Sequence, residues 1–170
     1  MKDFSKIIIS IDPAISCGQS SDETGIIVIG KTFTQHGVVL NDLSGKYAPG
    51  EWAKRAIEAY KHYKAHLIVA EVNQGGDMVE HTLKTIEPLI RFKPFRAKSS
   101  KYERAIPVSA LYRQGRIYHL QKFKELEDQL LTLSPSMKNS PDRADALVWG
   151  IRELFFEGAG PQEKFGMTYI

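Results

Sequence analysis

The chain has a single cysteine, Cys17, among its 170 residues, so no disulfide can form within it. A lone thiol is typical of proteins that work in a reducing compartment. The longest apolar runs, such as residues 26–29, are far shorter than the roughly 20 residues that a membrane-spanning helix needs. The first residues also lack the apolar core of an export signal. These absences predict a cytoplasmic protein without a membrane span.

A phosphate-binding loop for nucleotides is missing as well. The sequence contains no glycine-rich segment followed by Lys-Ser or Lys-Thr, the pattern whose backbone N–H groups hold the phosphates of ATP. ATP turnover is therefore not assigned to this chain.

The composition is that of an ordinary globular domain. Hydrophobic residues make up 42% and charged residues 25% of the sequence, which disfavours a disordered or fibrous chain. A length of 170 residues fits one hydrophobic core. Periodic apolar patterns stop before the last segment, which contains Gly and Pro. We therefore expect one domain over residues 1–157 and a loosely ordered tail over residues 158–170.

Basic residues are concentrated in one block, although the net charge is only +3. Residues 91–116 contain eight Lys or Arg side chains and one acid, Glu103. Within this block, Lys98, Lys101 and Arg104 fall at the start of a helical segment, where they could contact nucleic-acid phosphates. A solvated helix face is the alternative interpretation of the same charges.

Apolar runs and their periodicity predict an α/β fold with a mixed five-stranded sheet flanked by helices. The strands are predicted over residues 6–12, 24–31, 33–43, 66–72 and 91–97. Short links make the first three an antiparallel meander, and a right-handed helical crossover places the fourth strand parallel beside the first. Pro94 puts the fifth strand at or near an edge. Residues 116–120 are either a further short strand or an extended link.

Two of the buried strands each end in a single acid. Asp12 follows the run KIIISI, and Glu71 lies near the end of HLIVAEV. A carboxylate among apolar residues is costly unless it is paired, hydrogen-bonded or bound to a metal. Because the two strands should be parallel neighbours, we expect Asp12 and Glu71 to meet at one edge of the sheet.

The last predicted helix, which begins at Ser140 and Pro141, carries two more acids on one face. Packing of this helix on the first strand would bring Asp145 beside the two strand acids, and Asp142 lies one turn earlier. The pattern shows no matching set of buried bases, so cations should neutralise the carboxylates, and oxygen ligands select Mg²⁺ or Mn²⁺. Two such ions would favour phosphodiester cleavage. Alternatively, acids in a first helical turn stabilise the helix without any metal.

Six blocks of the sequence resemble the C-terminal nuclease domain of phage and prophage terminase large subunits. They are IIISIDPA (7–14), SDETGIIVIG (21–30), HLIVAEVNQGGDMVE (66–80), RAIPVSALYRQGRIYH (104–119), LEDQLLTLSP (126–135) and SPDRADALVWGI (140–151). The resemblance implies a ribonuclease-H-like fold. It also implies an endonuclease that uses two divalent ions, Mg²⁺ or Mn²⁺, to cut concatemeric viral DNA during genome packaging.

The same resemblance implies partners and site residues. Double-stranded DNA, a terminase ATPase domain, the small terminase subunit and the portal protein would be the partners, in the cytoplasm of a bacterial host. By position, Asp12, Glu71 and Asp145 match the family's catalytic, metal-binding acids. Asp142 matches a place where some relatives keep another ligand or a histidine, so it is an auxiliary metal ligand in this interpretation.

Other features allow more than one interpretation. Gly75 and Gly76 could form a loop that lets DNA approach the metals, although paired glycines are equally typical of a plain turn. Trp149 is expected to be a core residue. Two other functions fit the sequence: a Holliday-junction resolvase or other ribonuclease-H-like nuclease, and a catalytically silent DNA-binding module of a packaging motor.

Overall fold

The computed structural model describes residues 3–14, 23–48, 50–72, 77–134 and 141–157. Cys17, Gly75, Gly76, Ser140 and the predicted tail over 158–170 lie outside these described residues. In chain order the elements are β1 (Phe4–Asp12), β2 (Gly25–Thr32), β3 (Gly37–Asp42), α1 (Glu51–His62), β4 (Leu67–Glu71), α2 (Asp77–Ile86), β5 (Phe92–Phe95), α3 (Lys101–Arg113), β6 (Ile117–His119), α4 (Lys124–Thr132), α5 (Asp142–Arg152) and a π-helical segment (Glu153–Glu157).

The strands form one mixed sheet in the order β5-β4-β1-β2-β3-β6. The pairs β1–β2 and β2–β3 are antiparallel, whereas β1–β4, β4–β5 and β3–β6 are parallel. The predicted meander, the parallel pairing of the first and fourth strands and the edge position of Pro94 are thereby confirmed. The expected count of five strands is wrong, because residues 117–119 pair with β3 as a sixth strand. Three residues are too few for an alternating pattern to appear in the sequence.

Both faces of the sheet are covered by helices. Successive residues of β1 point to opposite sides: Ile8 packs in the cluster under α3, α4 and α5, and Ile9 packs in the cluster under α1 and α2. Burial of both faces explains why the central strands are apolar throughout instead of alternating. Among the described residues, no helix is long and apolar enough to cross a membrane.

Helix α5 lies directly on β1 and β2 because two glycines allow a close approach. A Cβ atom on Gly25 would overlap the carbonyl oxygen of Asp142, and one on Gly150 would lie 3.1 Å from Cβ of Ser10. The Ser10 hydroxyl also donates to the carbonyl of Ala146 over 2.6 Å. This contact fixes the first turn of α5 beside the carboxyl end of β1.

Candidate metal centre

Three carboxylates from separate parts of the chain meet at the carboxyl ends of β1 and β4. One oxygen from each of Asp12, Glu71 and Asp145 lies within 4.8 Å of the others. Asp12 and Glu71 end neighbouring parallel strands, and Asp145 is in the first turn of α5. The predicted meeting of these acids is confirmed, while their catalytic roles stay a prediction.

Asp12 is the least satisfied of the three acids. Within the described part of the chain, its buried Oδ2 atom has no hydrogen-bond partner. Burial raises the pKa of Asp12 to about 8; the charge of Lys101 opposes this rise, and those of Asp145 and Glu71 add to it. A buried oxygen without a donor, next to two further carboxylates, suits Mg²⁺ or Mn²⁺. The residues present therefore fit a divalent metal ion.

Arg104 is a buried base inside this acidic cluster, which the sequence pattern did not show. Its Nη2 donates to both carboxylate oxygens of Asp145, over 2.9 and 2.8 Å, and to Oε2 of Glu71 over 3.2 Å. Its Nη1 donates to the carbonyl of Ser99 over 2.8 Å. Arg104 is 4% exposed. Its predicted contact with DNA phosphates therefore does not agree with its position, because the guanidinium is occupied by the carboxylates.

Lys101 is the second base at the cluster. Its Nζ lies 3.0 Å from Oδ2 of Asp145 and 3.5 Å from Oδ2 of Asp12. The start of α3 sets this position: Ser100 caps the helix by accepting from the N–H of Glu103, and the Glu103 carboxylate accepts from the N–H of Ser100. The expectation of acids without matching bases is thus corrected, since two bases contact them.

Trp149 is buried as predicted, but it also donates to one of the three converging carboxylates. Its indole Nε1 donates to Oε2 of Glu71 over 2.7 Å. The ring lies 4.7 Å below the guanidinium of Arg104 and stacks on Phe95 with centroids 4.8 Å apart. Trp149 is four residues after Asp145 and lies on the same helix face, but this spacing alone does not identify Glu71 as its acceptor.

Asp142 lies near the cluster but is not one of the three acids that converge. It is buried, and its charge is near enough to raise the pKa of Asp12. The next residue, Arg143, anchors the start of α5 through ion pairs with Glu23 at 2.8 Å and Asp42 at 2.9 Å. The auxiliary ligand role of Asp142 remains a prediction.

The other residues predicted to contact DNA are differently placed. Lys98 is exposed, just before α3, whereas Lys101 is half-buried over the carboxylates. Gly75 and Gly76 lie outside the described residues. Of Lys98, Lys101 and Arg104, Lys98 is the exposed one and keeps the position expected of a phosphate contact.

A mixed sheet with an antiparallel meander, helices on both faces and three acids at the ends of β1, β4 and the first turn of α5 defines a ribonuclease-H-like domain. The family model described as Terminase RNaseH-like domain matches residues 9–154, and the chain belongs to this family. No curated protein matches the chain in sequence.

Solved structures share the fold at low sequence identity. The large terminase nuclease from thermophilic phage G20c with bound zinc has a TM-score of 0.67 and 18% identity, over 89% of this chain and 84% of that one. A mutant nuclease domain of the large terminase subunit gp2 of bacterial virus Sf6, with manganese and β-thujaplicinol, has a TM-score of 0.63 and 14% identity, over 88% and 89%. RuvC of T. thermophilus in complex with Holliday junction substrate has a TM-score of 0.50 and 16% identity, over 91% and 96%.

Proposed function

We propose that this chain is a divalent-metal-dependent DNA endonuclease, the nuclease domain of a terminase large subunit that cuts concatemeric viral DNA during genome packaging. The observation that carries the proposal is the convergence of Asp12, Glu71 and Asp145 within 4.8 Å in a member of the terminase family. Related folds with bound zinc and manganese support the metal dependence. The nuclease domain would comprise residues 1–157, with 158–170 as a tail.

In this proposal, Asp12, Glu71 and Asp145 hold two Mg²⁺ or Mn²⁺ ions, and Asp142 assists from the same helix. Bound ions would polarise the phosphodiester and lower the pKa of a water molecule. Arg104 and Trp149 orient the Glu71 carboxylate, since both donate to its Oε2 atom. Orientation by such donors keeps the carboxylates in place before a metal arrives.

The substrate would be double-stranded DNA. Exposed bases before α3, with Lys98 as the first candidate, would contact its phosphates. Gly75 and Gly76, which follow Glu71 closely in the sequence, would let DNA approach the metals. The terminase ATPase domain, the small terminase subunit and the portal protein are the proposed partners, and the cytoplasm of the bacterial host is the proposed location.

Plasmid nicking tests the metal dependence. The purified chain is incubated with supercoiled plasmid and Mn²⁺ or Mg²⁺, and we expect nicked and linear products with either ion. EDTA should stop the reaction, and excess Mn²⁺ should restore it. Undiminished cutting in EDTA would contradict the proposal, and no cutting under any metal condition would favour a catalytically silent DNA-binding module.

A resolvase is the second candidate, favoured by the fold shared with RuvC. A four-way junction and a linear duplex of the same arm sequences separate the two functions. We expect both substrates to be cut at similar rates. Symmetric cleavage of the junction, with little cutting of the duplex, would assign the chain to the resolvases instead.

A further inference from the structure

Among the described residues, two bases contact the carboxylates of the candidate metal centre, and they differ in their exposure to solvent. Arg104 is 4% exposed, donates to Ser99 as well as to two acids, and lies over the ring of Trp149. The side chain of Lys101 is 39% exposed. Lysine is also a single point charge on a flexible stem, whereas arginine donates from a rigid plane. Lys101 is therefore the base that lies nearer to solvent and on the more flexible side chain.

The ammonium of Lys101 contacts the carboxylates that a metal ion would need. Its Nζ atom lies 3.5 Å from Oδ2 of Asp12, an oxygen to which no described residue donates a hydrogen bond, and 3.0 Å from Oδ2 of Asp145. Arg104 instead bridges Asp145 and Glu71. A divalent ion held by these carboxylates would lie close to the ammonium, and like charges at short range repel strongly.

We propose that Lys101 is a displaceable resident cation of this site. Its ammonium holds Asp12 and Asp145 together in the metal-free protein and turns out to solvent when a divalent ion binds these carboxylates. Arg104 stays on Asp145 and Glu71 in both states. This inference rests on the proposed metal-dependent function and adds to it a competition between an internal cation and the metal.

The charge of the site supports displacement of one base. A metal ion binds carboxylates in their ionised form. With Asp12, Glu71, Asp142 and Asp145 in that form, the four acids and the two bases leave a net charge of −2. One divalent ion would neutralise that charge, but two would leave an excess of two positive charges with both bases in place. Release of the more exposed base reduces the excess.

Competition makes a prediction that a purely structural role does not. A lysine that docks on the carboxylates for about 70–90% of the time would weaken metal binding about threefold to tenfold, because only the undocked fraction is competent. Loss of its charge should therefore strengthen metal binding. If Lys101 merely held the carboxylates in position, loss of its charge would weaken metal binding instead.

Equilibrium binding of Mn²⁺ to the full chain, followed by electron paramagnetic resonance of the free ion, tests the inference. Lys101→Met keeps the length of the apolar stem and removes the charge, and we expect its affinity for Mn²⁺ to rise about threefold to tenfold. Lys101→Arg retains a cation and should not gain affinity. Lys54→Met, which removes an exposed lysine on α1, is the control and should bind Mn²⁺ as the wild type does.

Lysine ammonium NMR spectra during a titration with Mg²⁺ give a second readout. The Lys101 signal should move to the position of a solvated lysine as the site saturates, and the Lys98 signal should not move. An affinity of Lys101→Met no higher than that of the wild type, or an unchanged Lys101 signal, would overturn this inference alone. A wild-type chain that binds no Mn²⁺ would overturn the proposed function and this inference with it.

Discussion

Two buried acidic sites lie at opposite ends of the sheet, and they have opposite ratios of acidic to basic side chains. Near the amino end of β1, Glu153 alone accepts from two lysines, Lys6 at 2.8 Å and Lys93 at 2.6 Å. At the carboxyl end, the carboxylates of the metal centre outnumber the two bases that contact them. Bases outnumber the acid at one site, and acids outnumber the bases at the other.

The pKa values of Glu153 and Asp12 follow this difference in charge. Burial alone would raise the pKa of Glu153, but hydrogen bonds and charges from Lys6 and Lys93 outweigh it and lower the pKa. At Asp12, burial and the neighbouring acids outweigh Lys101, and the pKa rises to about 8. A buried acid is therefore a candidate metal ligand when its neighbours leave negative charge and an oxygen without a donor.

The largest expected effect is the loss of cleavage in Asp145→Asn. This acid is shared by both bases and by the proposed metals, so we expect Mn²⁺-supported plasmid nicking to disappear. The metal-free variant should also be less stable, because Arg104 loses a charged partner in a buried site. If only the acids are considered, the metal-free variant should instead be more stable, because the substitution relieves repulsion between carboxylates. Circular dichroism checks the fold, and thermal unfolding in EDTA checks the sign.

Asp142→Asn should have a smaller effect on the same assay. Asp142 lies near the cluster without joining the three converging acids, so we expect a loss of about one to two orders of magnitude, as for partners of metal ligands. Asp128→Asn, an exposed acid on α4, is the control and should nick at the wild-type rate. An inactive Asp142→Asn beside an active Asp145→Asn would reverse the roles of the two acids.

The acids of the metal centre could be predicted from the sequence because each follows a local rule. Asp12 and Glu71 end apolar strands whose crossover makes them parallel neighbours. Asp145 sits in a helix start marked by Pro141. Strand ends, crossovers and helix starts can each be predicted from neighbouring residues in the sequence. Taken together, they predict that the three side chains lie at one edge of the sheet.

The partners of those acids could not be predicted, because their roles depend on distant contacts. Arg104 looks like one more surface base until β4 and α5 supply its carboxylates. Trp149 fits the core pattern equally well with or without its bond to Glu71. Glu153 is paired by Lys6, which is 147 residues away in the sequence. Periodicity reports that a residue is buried, but it does not report which atom it meets.

Metal-free stability should depend on pH through Asp12. Its folded pKa of about 8 is above the ordinary value of 3.8, so the folded chain keeps a proton that the unfolded chain releases. Stability should therefore fall as pH rises from about 4 to about 8, by about 3 kcal/mol between pH 5.5 and 8. Asp12→Asn should remove most of this dependence. Urea unfolding in EDTA at several pH values measures it, with Asp128→Asn as the control.

Glu153→Gln should affect stability and leave catalysis unchanged. The substitution removes the charged partner that Lys6 and Lys93 share, at a cost of about 1–3 kcal/mol. Glu157→Gln, which removes an exposed ion pair of the same π-helical segment, should cost less. Thermal unfolding and plasmid nicking are measured on both variants. Loss of nicking in a stable Glu153→Gln would contradict the separation of the two sites.

The smallest expected effect concerns a base that belongs to neither acidic site. Lys98 is exposed, whereas Lys93 is tied to Glu153. Lys98→Ala should weaken DNA binding similarly for all sequences and reduce the slope of log affinity against log salt by about one unit, as one lost phosphate contact does. Lys93→Ala should lower stability and leave that slope unchanged. Fluorescence anisotropy in Ca²⁺, across a salt series, measures both variants. Equal slopes for Lys98→Ala and the wild type would mean that this lysine is only solvated, because a base that releases no counterion on binding leaves the salt dependence as it was.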